Sequence, residues 1–112
     1  MTERSGTIQI LEPKDIAGLL KAGKVLLIDV RDPAEHAAER IAGAVLYPLS
    51  TFDATTLPTA GPPRVIFHCG SGKQSLTAAE KRLAAGESHA AQMRGGLVAY
   101  KAASLPLIAV NS

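Results

Sequence analysis

The sequence has a single cysteine, Cys69, and no tryptophan. One cysteine excludes a disulfide within the chain, and the lack of a second, resolving thiol argues against a thiol oxidoreductase. Aromatic residues make up only 4% of the 112 residues, so the core has to be packed with Ala, Leu, Val and Ile. A chain without disulfides suits a reducing compartment, and we expect a cytoplasmic location.

Long hydrophobic runs are also missing. The longest apolar stretches, residues 25–28 and 105–110, are far shorter than the ~20 residues that span a bilayer. The N-terminus shows no cationic region followed by an apolar signal segment. We therefore expect no membrane segment in this chain.

Neither sign of charge dominates the sequence. The sequence contains twelve Lys and Arg residues and ten Asp and Glu residues, which gives a net charge of +2. The basic residues are scattered among the acidic ones along the chain. A basic stripe would be expected of a nucleic-acid-binding protein, so nucleic acid is not a predicted partner. The sequence also has no metal-ligand constellation, and we expect neither a metal nor an organic cofactor.

The length predicts one domain over residues 1–112, and the hydrophobic pattern predicts an α/β fold. Short apolar runs alternate with amphipathic segments. The runs predict strands at residues 7–10, 25–29, 44–47, 64–68 and 90–93. The segments predict helices at residues 13–21, from 33 onward, 76–85 and 97–103, the third with Leu76, Ala79 and Leu83 on its buried face. Residues 50–63 are polar and rich in Thr and Pro, with room for one short helix.

The candidate catalytic group lies where the fourth predicted strand meets a glycine-bearing loop and the third helix. Open α/β sheets bind ligands at such points, because loop amides and a helix N-terminus together attract an anion. Cys69 begins this loop and is predicted to be a thiolate nucleophile that also carries sulfur as a persulfide. The alternative is that Cys69 is a small buried core residue. The predicted substrate-binding residues follow it in the chain: Gly70, Ser71, Gly72, Lys73, Gln74 and Ser75.

Each residue type in the loop has a predicted role. Gly70 and Gly72 are expected to take backbone conformations closed to other residues, while Ser71, Gln74 and Ser75 supply neutral donors. Lys73 is expected to attract a small sulfur-containing anion such as thiosulfate, and a thiol or cyanide would accept the sulfur. The loop contains no carboxylate that would oppose such an anion.

Four segments in the same order resemble the motifs of rhodanese domains. Residues 27–35 resemble the Asp-Val-Arg-x-x-x-Glu segment, and residues 41–44 resemble His-Ile-x-Gly-Ala without its first residue. Residues 67–75 resemble the Cys-x-x-Gly-x-Arg-Ser loop, and residues 94–100 resemble the Gly-Gly-aromatic segment. The resemblance implies a sulfurtransferase with a five-stranded parallel sheet flanked by helices, and with Cys69 as the persulfide carrier.

Three residues depart from the family pattern: Arg40 replaces the usual His, Gln74 replaces an Arg, and Tyr100 replaces a Trp. Only Gln74 lies in the predicted site. A neutral amide weakens the positive field, so thiosulfate is expected to be a weaker donor, with a protein or small-molecule persulfide as the alternative. Because the loop also resembles rhodanese domains that precede a membrane hairpin, a soluble domain of a longer, membrane-tethered protein stays open.

Three other functions are alternatives to sulfur transfer. A cysteine-dependent phosphatase needs an arginine six places after the cysteine, where this chain has Ser75. A cysteine protease needs a histidine beside the thiol, but strand alternation points His68 to the opposite face from Cys69. A non-catalytic rhodanese-like binding module is the remaining alternative.

Three further predictions concern residues outside the loop. Arg31 is a possible accessory substrate contact, although a structural ion pair with Asp29 or Glu35 is favoured. Gly95 and Gly96 are expected to form a turn that passes near the loop. Tyr100 is expected in the core.

Overall fold

The structure is a computed structural model that describes residues 6–59 and 62–109. The elements follow in the order β1 (Thr7–Leu11), α1 (Pro13–Lys21), β2 (Val25–Asp29), α2 (Pro33–Ala38), β3 (Glu39–Arg40), β4 (Val45–Leu46), β5 (Arg64–His68), α3 (Lys73–Ala84), β6 (His89–Met93), α4 (Gly96–Ala102) and β7 (Ile108–Ala109). Two short 3₁₀ helices, Leu49–Thr51 and Ala54–Thr56, lie between β4 and β5.

Five strands form one sheet in the order β1-β6-β5-β2-β4, and every pairing in it is parallel. This confirms the predicted five-stranded parallel sheet flanked by helices. β5 is central, with β6 on one side and β2 on the other. Because the strands are parallel, the residues that follow β2 and β5 meet at the same edge of the sheet.

The helix boundaries follow from local chemistry. α1 begins at Pro13, where the missing N–H costs no helical hydrogen bond. The chain leaves α1 through Gly23, whose positive φ of 69° favours glycine. Before α2, the Asp32 side chain accepts from the third helical residue and the Glu35 carboxylate accepts from the Asp32 N–H. This capping box fixes the chain direction directly after β2.

The central strands are buried on both faces, as parallel strands covered by helices should be. Alternate residues join two core clusters. Leu27 and Ile66 pack in the cluster with α1 and α4, whereas Ile28 and Phe67 pack in the cluster with α3. Tyr100 is 3% exposed and belongs to the first cluster, which confirms its predicted place in the core.

The prediction of which residues of the third helix are buried is partly wrong. α3 begins at Lys73, three residues before the predicted start, and its buried stripe has the helical spacing Ser75, Ala78, Ala79 and Arg82. Leu76 is therefore 38% exposed, while Ala79 is buried and Leu83 is partly buried. Arg82 is accommodated because its guanidinium reaches the carbonyl oxygen of Pro58 at 2.8 Å.

Two features differ from the sequence predictions. β3 and β7 form a small antiparallel pair that was not predicted, because two-residue strands carry no readable alternation. The polar stretch before β5 holds two 3₁₀ helices, of which one lies within the span where a single short helix was expected. None of the helices in the described ranges is long and apolar enough to cross a membrane.

Candidate active site

Cys69 lies directly after β5, at the carboxyl end of the central strand. Its side chain is 1% exposed and packs in the cluster on the α3 side of the sheet. The chain then turns through Gly70, Ser71 and Gly72 into α3. The thiol therefore sits at the N-terminus of a 12-residue helix, where the helix dipole favours an anion.

Two hydrogen-bonding groups lie against the Cys69 sulfur. The Gly72 N–H donates to Sγ at 3.0 Å, and the Ser75 hydroxyl oxygen lies 3.6 Å from Sγ. Burial acts to raise the pKa of Cys69, but hydrogen bonds with the Ser75 hydroxyl and with the backbone amides of Ser75, Gly72 and Ser71 outweigh it. The pKa of Cys69 is thus lowered from its usual value, which favours the reactive thiolate.

The loop divides the predicted substrate-binding residues into two groups. Gly72 and Ser75 contact the sulfur directly. The side chains of Ser71, Lys73 and Gln74 are exposed on the outside of the loop. Lys73 also borders a shallow cleft between α3 and β1, which carries the exposed apolar side chains Ile10 and Leu76.

Only one of the two loop glycines has a backbone conformation that favours glycine. Gly72 has a φ of 108°, a left-handed conformation that glycine adopts without strain. Gly70 was expected to share this property, and that expectation is wrong because Gly70 is not among the described glycines with positive φ. A Cβ on Gly70 would also meet no atom within 4 Å. Only Gly72 is conformationally required.

The turn before α4 fixes the loop from outside. The Leu97 N–H donates to the carbonyl oxygen of Cys69 at 2.8 Å, and the Val98 N–H donates to that of Gly70 at 3.1 Å. A Cβ on Gly96 would lie 2.5 Å from the carbonyl carbon and oxygen of Gly70. The predicted approach of this Gly-Gly turn to the loop is confirmed, and the backbone contact explains why Gly96 carries no side chain.

Arg31 forms the structural ion pair that was favoured for it. Its side chain is 5% exposed and donates to both oxygens of the Asp29 carboxylate, with Nη2 at 2.8 Å from Oδ2. Nη2 also donates to the carbonyl oxygen of Glu39 at 2.6 Å. The partner is Asp29 and not Glu35, whose carboxylate caps α2. These contacts commit the guanidinium to holding the end of β2.

The histidines are placed away from the Cys69 sulfur. His68 is fully buried on the sheet face opposite Cys69, as strand alternation predicts, with Nε2 3.9 Å from an Asp29 oxygen. His36 Nδ1 lies 2.8 Å from the same oxygen. His89 is exposed at the start of β6. This arrangement provides no histidine to activate the thiol as in a cysteine protease.

One buried contact at the site was not predicted. The Ser75 hydroxyl donates to Oε1 of Gln92 at 2.6 Å, and Gln92 is 6% exposed on β6. Nothing in the sequence marks a glutamine within a short strand as a neighbour of a loop 17 residues earlier. In the described ranges, no three His, Cys, Asp or Glu side chains are grouped to hold a metal ion.

The chain is similar in sequence to known proteins over most of its length. The family model for the rhodanese-like domain matches residues 12–103. A sulfurtransferase of Allochromatium vinosum is 31% identical over 85 residues, which cover 76% of this chain and 79% of that protein. An uncharacterized protein of Synechocystis is 32% identical over 108 residues, and the match spans 96% of this chain but 60% of that relative.

Two solved structures share the fold of this chain. The thiosulfate sulfurtransferase of Pseudomonas aeruginosa superimposes with a TM-score of 0.75 at 25% identity, covering 100% of this chain and 21% of that one. A rhodanese-related protein of Thermoplasma volcanium reaches 0.76 at 20% identity, with 89% of this chain and 97% of that chain covered, and shows the shared fold. The chain belongs to the rhodanese-like domain family.

Proposed function

We propose that this domain is a sulfurtransferase that moves sulfane sulfur from thiosulfate or another persulfide donor to a thiophilic acceptor. The observation that carries the proposal is the pair of groups at Cys69 Sγ that can donate to a thiolate: the Gly72 N–H, which donates at 3.0 Å, and the hydroxyl of Ser75, whose oxygen accepts from the thiol at 3.6 Å. Such donors stabilise a negative charge on sulfur, whether that sulfur is a thiolate or the terminal atom of a persulfide.

The first half-reaction loads sulfur onto the protein. The Cys69 thiolate attacks the outer sulfur of thiosulfate and forms a new S–S bond, while the S–S bond within thiosulfate breaks and its electron pair leaves with sulfite. The product is a Cys69 persulfide anion. Because Cys69 is 1% exposed, the site favours donors whose reacting sulfur is terminal and narrow, as in thiosulfate and small persulfides.

The second half-reaction unloads the sulfur. Cyanide attacks the terminal sulfur, the S–S bond to Sγ breaks, and thiocyanate leaves while the Cys69 thiolate is regenerated. A thiolate acceptor reacts in the same way and leaves as a persulfide. No proton, electron or cofactor has to be supplied from outside in either half-reaction.

The remaining loop residues are assigned supporting roles. We assign Gly70, Ser71, Gly72 and Ser75 to the backbone and hydroxyl cradle, and Lys73 and Gln74 to the approach of the donor. Arg31 contributes by holding the end of β2 rather than by contacting the donor, since Asp29 and Glu39 occupy its guanidinium. We further propose that the domain acts in the cytoplasm, where a lone thiol stays reduced.

Replacement of the sulfur tests the proposal. Cys69→Ser should abolish thiocyanate formation from thiosulfate and cyanide and keep the fold, because a hydroxyl is nearly isosteric with a thiol but cannot carry a persulfide. The measurements are steady-state thiocyanate release and thermal unfolding of both proteins. Turnover by the folded Cys69→Ser protein would overturn the mechanism. Absence of turnover in the wild type with every sulfane donor would favour the binding-module alternative.

A further inference from the structure

The hydroxyl of Ser75 lies among three possible acceptors but has a single proton to donate. Its oxygen is 2.6 Å from Oε1 of Gln92, 3.3 Å from the carbonyl oxygen of Gly72 and 3.6 Å from Sγ of Cys69. Ser75, Gln92 and Cys69 are 0%, 6% and 1% exposed, so little water is available to replace a missing partner. The direction of this one proton therefore matters for the sulfur.

When Cys69 is a thiol, every group in this chain of contacts is satisfied. The S–H donates to Ser75 Oγ, and the Ser75 O–H donates to Oε1 of Gln92. The glutamine oxygen can only accept, so it holds the serine proton on the side away from the sulfur.

When Cys69 is a thiolate, the same arrangement is in conflict. The sulfur now needs donors, and Ser75 can turn its proton toward Sγ only by leaving the buried Oε1 of Gln92 without one. The buried Oε1 of Gln92 thus competes with the thiolate for the one proton of Ser75.

We infer that Gln92 is a positioning residue that controls, through the single proton of Ser75, whether the Ser75 hydroxyl donates to the sulfur of Cys69. The inference rests on the proposed role of Cys69 as the nucleophile. A side chain at position 92 that cannot accept releases the proton to the thiolate, whereas a side chain that can only accept withholds it.

Charged groups do not mask this effect in the surroundings of Cys69. The elements packed around its side chain present apolar residues: Ile28 and Val30 at β2, Val65 and Phe67 on β5, Ala78 and Ala79 on α3, and Ala90 on β6. The buried charges Asp29, Arg31 and His68 belong to the opposite face of the sheet. The buried Arg82 lies in the last turn of α3, at the far end of the helix from Cys69, where it contacts the carbonyl oxygen of Pro58 and the carboxylate of Glu87. Lys73 at the start of α3 is exposed, and the exposed Arg94 after β6 is paired with Glu12.

Two substitutions of similar length push the serine proton in opposite directions. Gln92→Met removes the acceptor and should lower the pKa of Cys69, whereas Gln92→Glu keeps only acceptor oxygens, adds a negative charge and should raise it. The readout is the rate of iodoacetamide alkylation against pH, which reports on Cys69 alone because the chain has one cysteine. At a pH below the midpoint we expect about a fivefold faster reaction for Gln92→Met, the size of one neutral hydrogen bond, and a slower one for Gln92→Glu.

Removing the serine hydroxyl provides a control that separates this role of Gln92 from a purely structural one. In a Ser75→Ala background, Gln92→Met should leave the alkylation profile unchanged, because no proton remains to be redirected. An unchanged or raised pKa in Gln92→Met, or a shift that persists without the Ser75 hydroxyl, overturns the inference. If Gln92→Met does not fold, Gln92→Glu tests the inference instead. An unchanged or lowered pKa of Cys69 in Gln92→Glu overturns the inference. Alkylation does not depend on sulfur transfer, so the inference and the proposed function fail separately.

Discussion

At the scale of single residues, the state of Cys69 is set by burial and hydrogen bonding acting against each other. Burial disfavours the thiolate, while the Gly72 amide, the Ser75 hydroxyl and further loop amides favour it. Hydrogen bonds to a charged group are worth roughly 1.5–3 kcal/mol each, and one pKa unit corresponds to about 1.4 kcal/mol. Several such donors are enough to outweigh the burial of one sulfur, which explains the lowered pKa.

Gln74 shows what a side chain at the edge of this cradle contributes. Gln74 is exposed at the second position of α3, where the family pattern has an arginine. Gln74→Arg should lower KM for thiosulfate about fivefold at low ionic strength, because an added ion pair at a partly exposed site is worth up to about 1 kcal/mol. The gain should shrink as salt is added.

Steady-state kinetics at two salt concentrations measure the effect of Gln74→Arg. Ala84→Arg is the matched control, since it adds the same charge at the exposed far end of the same helix and should leave KM unchanged. Equal KM values for wild type and Gln74→Arg at low salt would mean that the backbone cradle alone sets the affinity for the anion.

At the scale of secondary-structure elements, α4 holds the loop of the candidate active site in place. Its first turn donates two backbone hydrogen bonds to the carbonyl groups of Cys69 and Gly70. The approach is close enough that Gly96 has no room for a Cβ, and its φ of 64° also favours glycine. The conformation of the loop thus depends on an element that contributes no side chain to the sulfur.

Gly96→Ala should therefore damage both stability and activity. Positive-φ strain and overlap with the backbone of Gly70 together should lower the unfolding free energy by about 2–4 kcal/mol, and the displaced loop should lose most of its sulfur-transfer activity. Denaturant unfolding and thiocyanate release measure the two effects. Gly18→Ala in α1 is the control, because its Cβ meets nothing within 4 Å and the substitution should be neutral or stabilising. Unfolding free energies that match the wild type in both variants would contradict this role of α4.

The elements differ in how far the sequence predicts them. The range Val25–Asp29 and the range Arg64–His68 agree with the predicted strands at both ends, because central parallel strands are continuous apolar runs. α3 begins three residues before the predicted start, since Lys73 and Gln74 are polar and show no amphipathic signal. Cys69 and Gly72 were predictable from the loop itself, whereas the contact of Gln92 with Ser75 depends on how β6 packs beside β5.

At the scale of the whole molecule, the two faces of the sheet have different electrostatics. Cys69 lies on the apolar α3 side, and the carboxylate of Asp29 on the other side receives Arg31 and His36. Burial acts to raise the pKa of Asp29, but the hydrogen bonds from Arg31, together with the neighbouring His68 and His36, outweigh burial, and the pKa is lowered. Burial of His68 lowers the pKa of its imidazole, more than the nearby Asp29 carboxylate raises it.

The lowered pKa of His68 predicts a loss of stability on acidification. Below the ordinary histidine pKa of 6.5, the unfolded chain binds a proton that the buried imidazole resists, so protonation favours unfolding. The unfolding free energy should fall as pH drops below about 6.5, by at most ~1.4 kcal/mol per pH unit for one proton. The lowered pKa of Asp29 adds a further loss at lower pH, below its ordinary value of 3.8.

Denaturant unfolding between pH 7.5 and roughly pH 5, the range that brackets the histidine titration, measures the contribution of His68. His68→Leu should flatten the pH dependence in this window, and His89→Gln, at an exposed histidine, should preserve the wild-type slope. A His68→Leu protein with the full wild-type slope would show that another group is responsible.

Sulfur loading onto Cys69 can be read from the intact mass of the protein after exposure to a sulfane-sulfur donor. Wild-type protein incubated with thiosulfate should gain the mass of one sulfur atom, lose it on addition of cyanide, and show neither change as Cys69→Ser. Because Cys69 is the sole cysteine, the added sulfur can be assigned to it without further mapping. A wild-type mass that stays unchanged with thiosulfate and with small-molecule persulfides would contradict the account of Cys69 as a persulfide carrier.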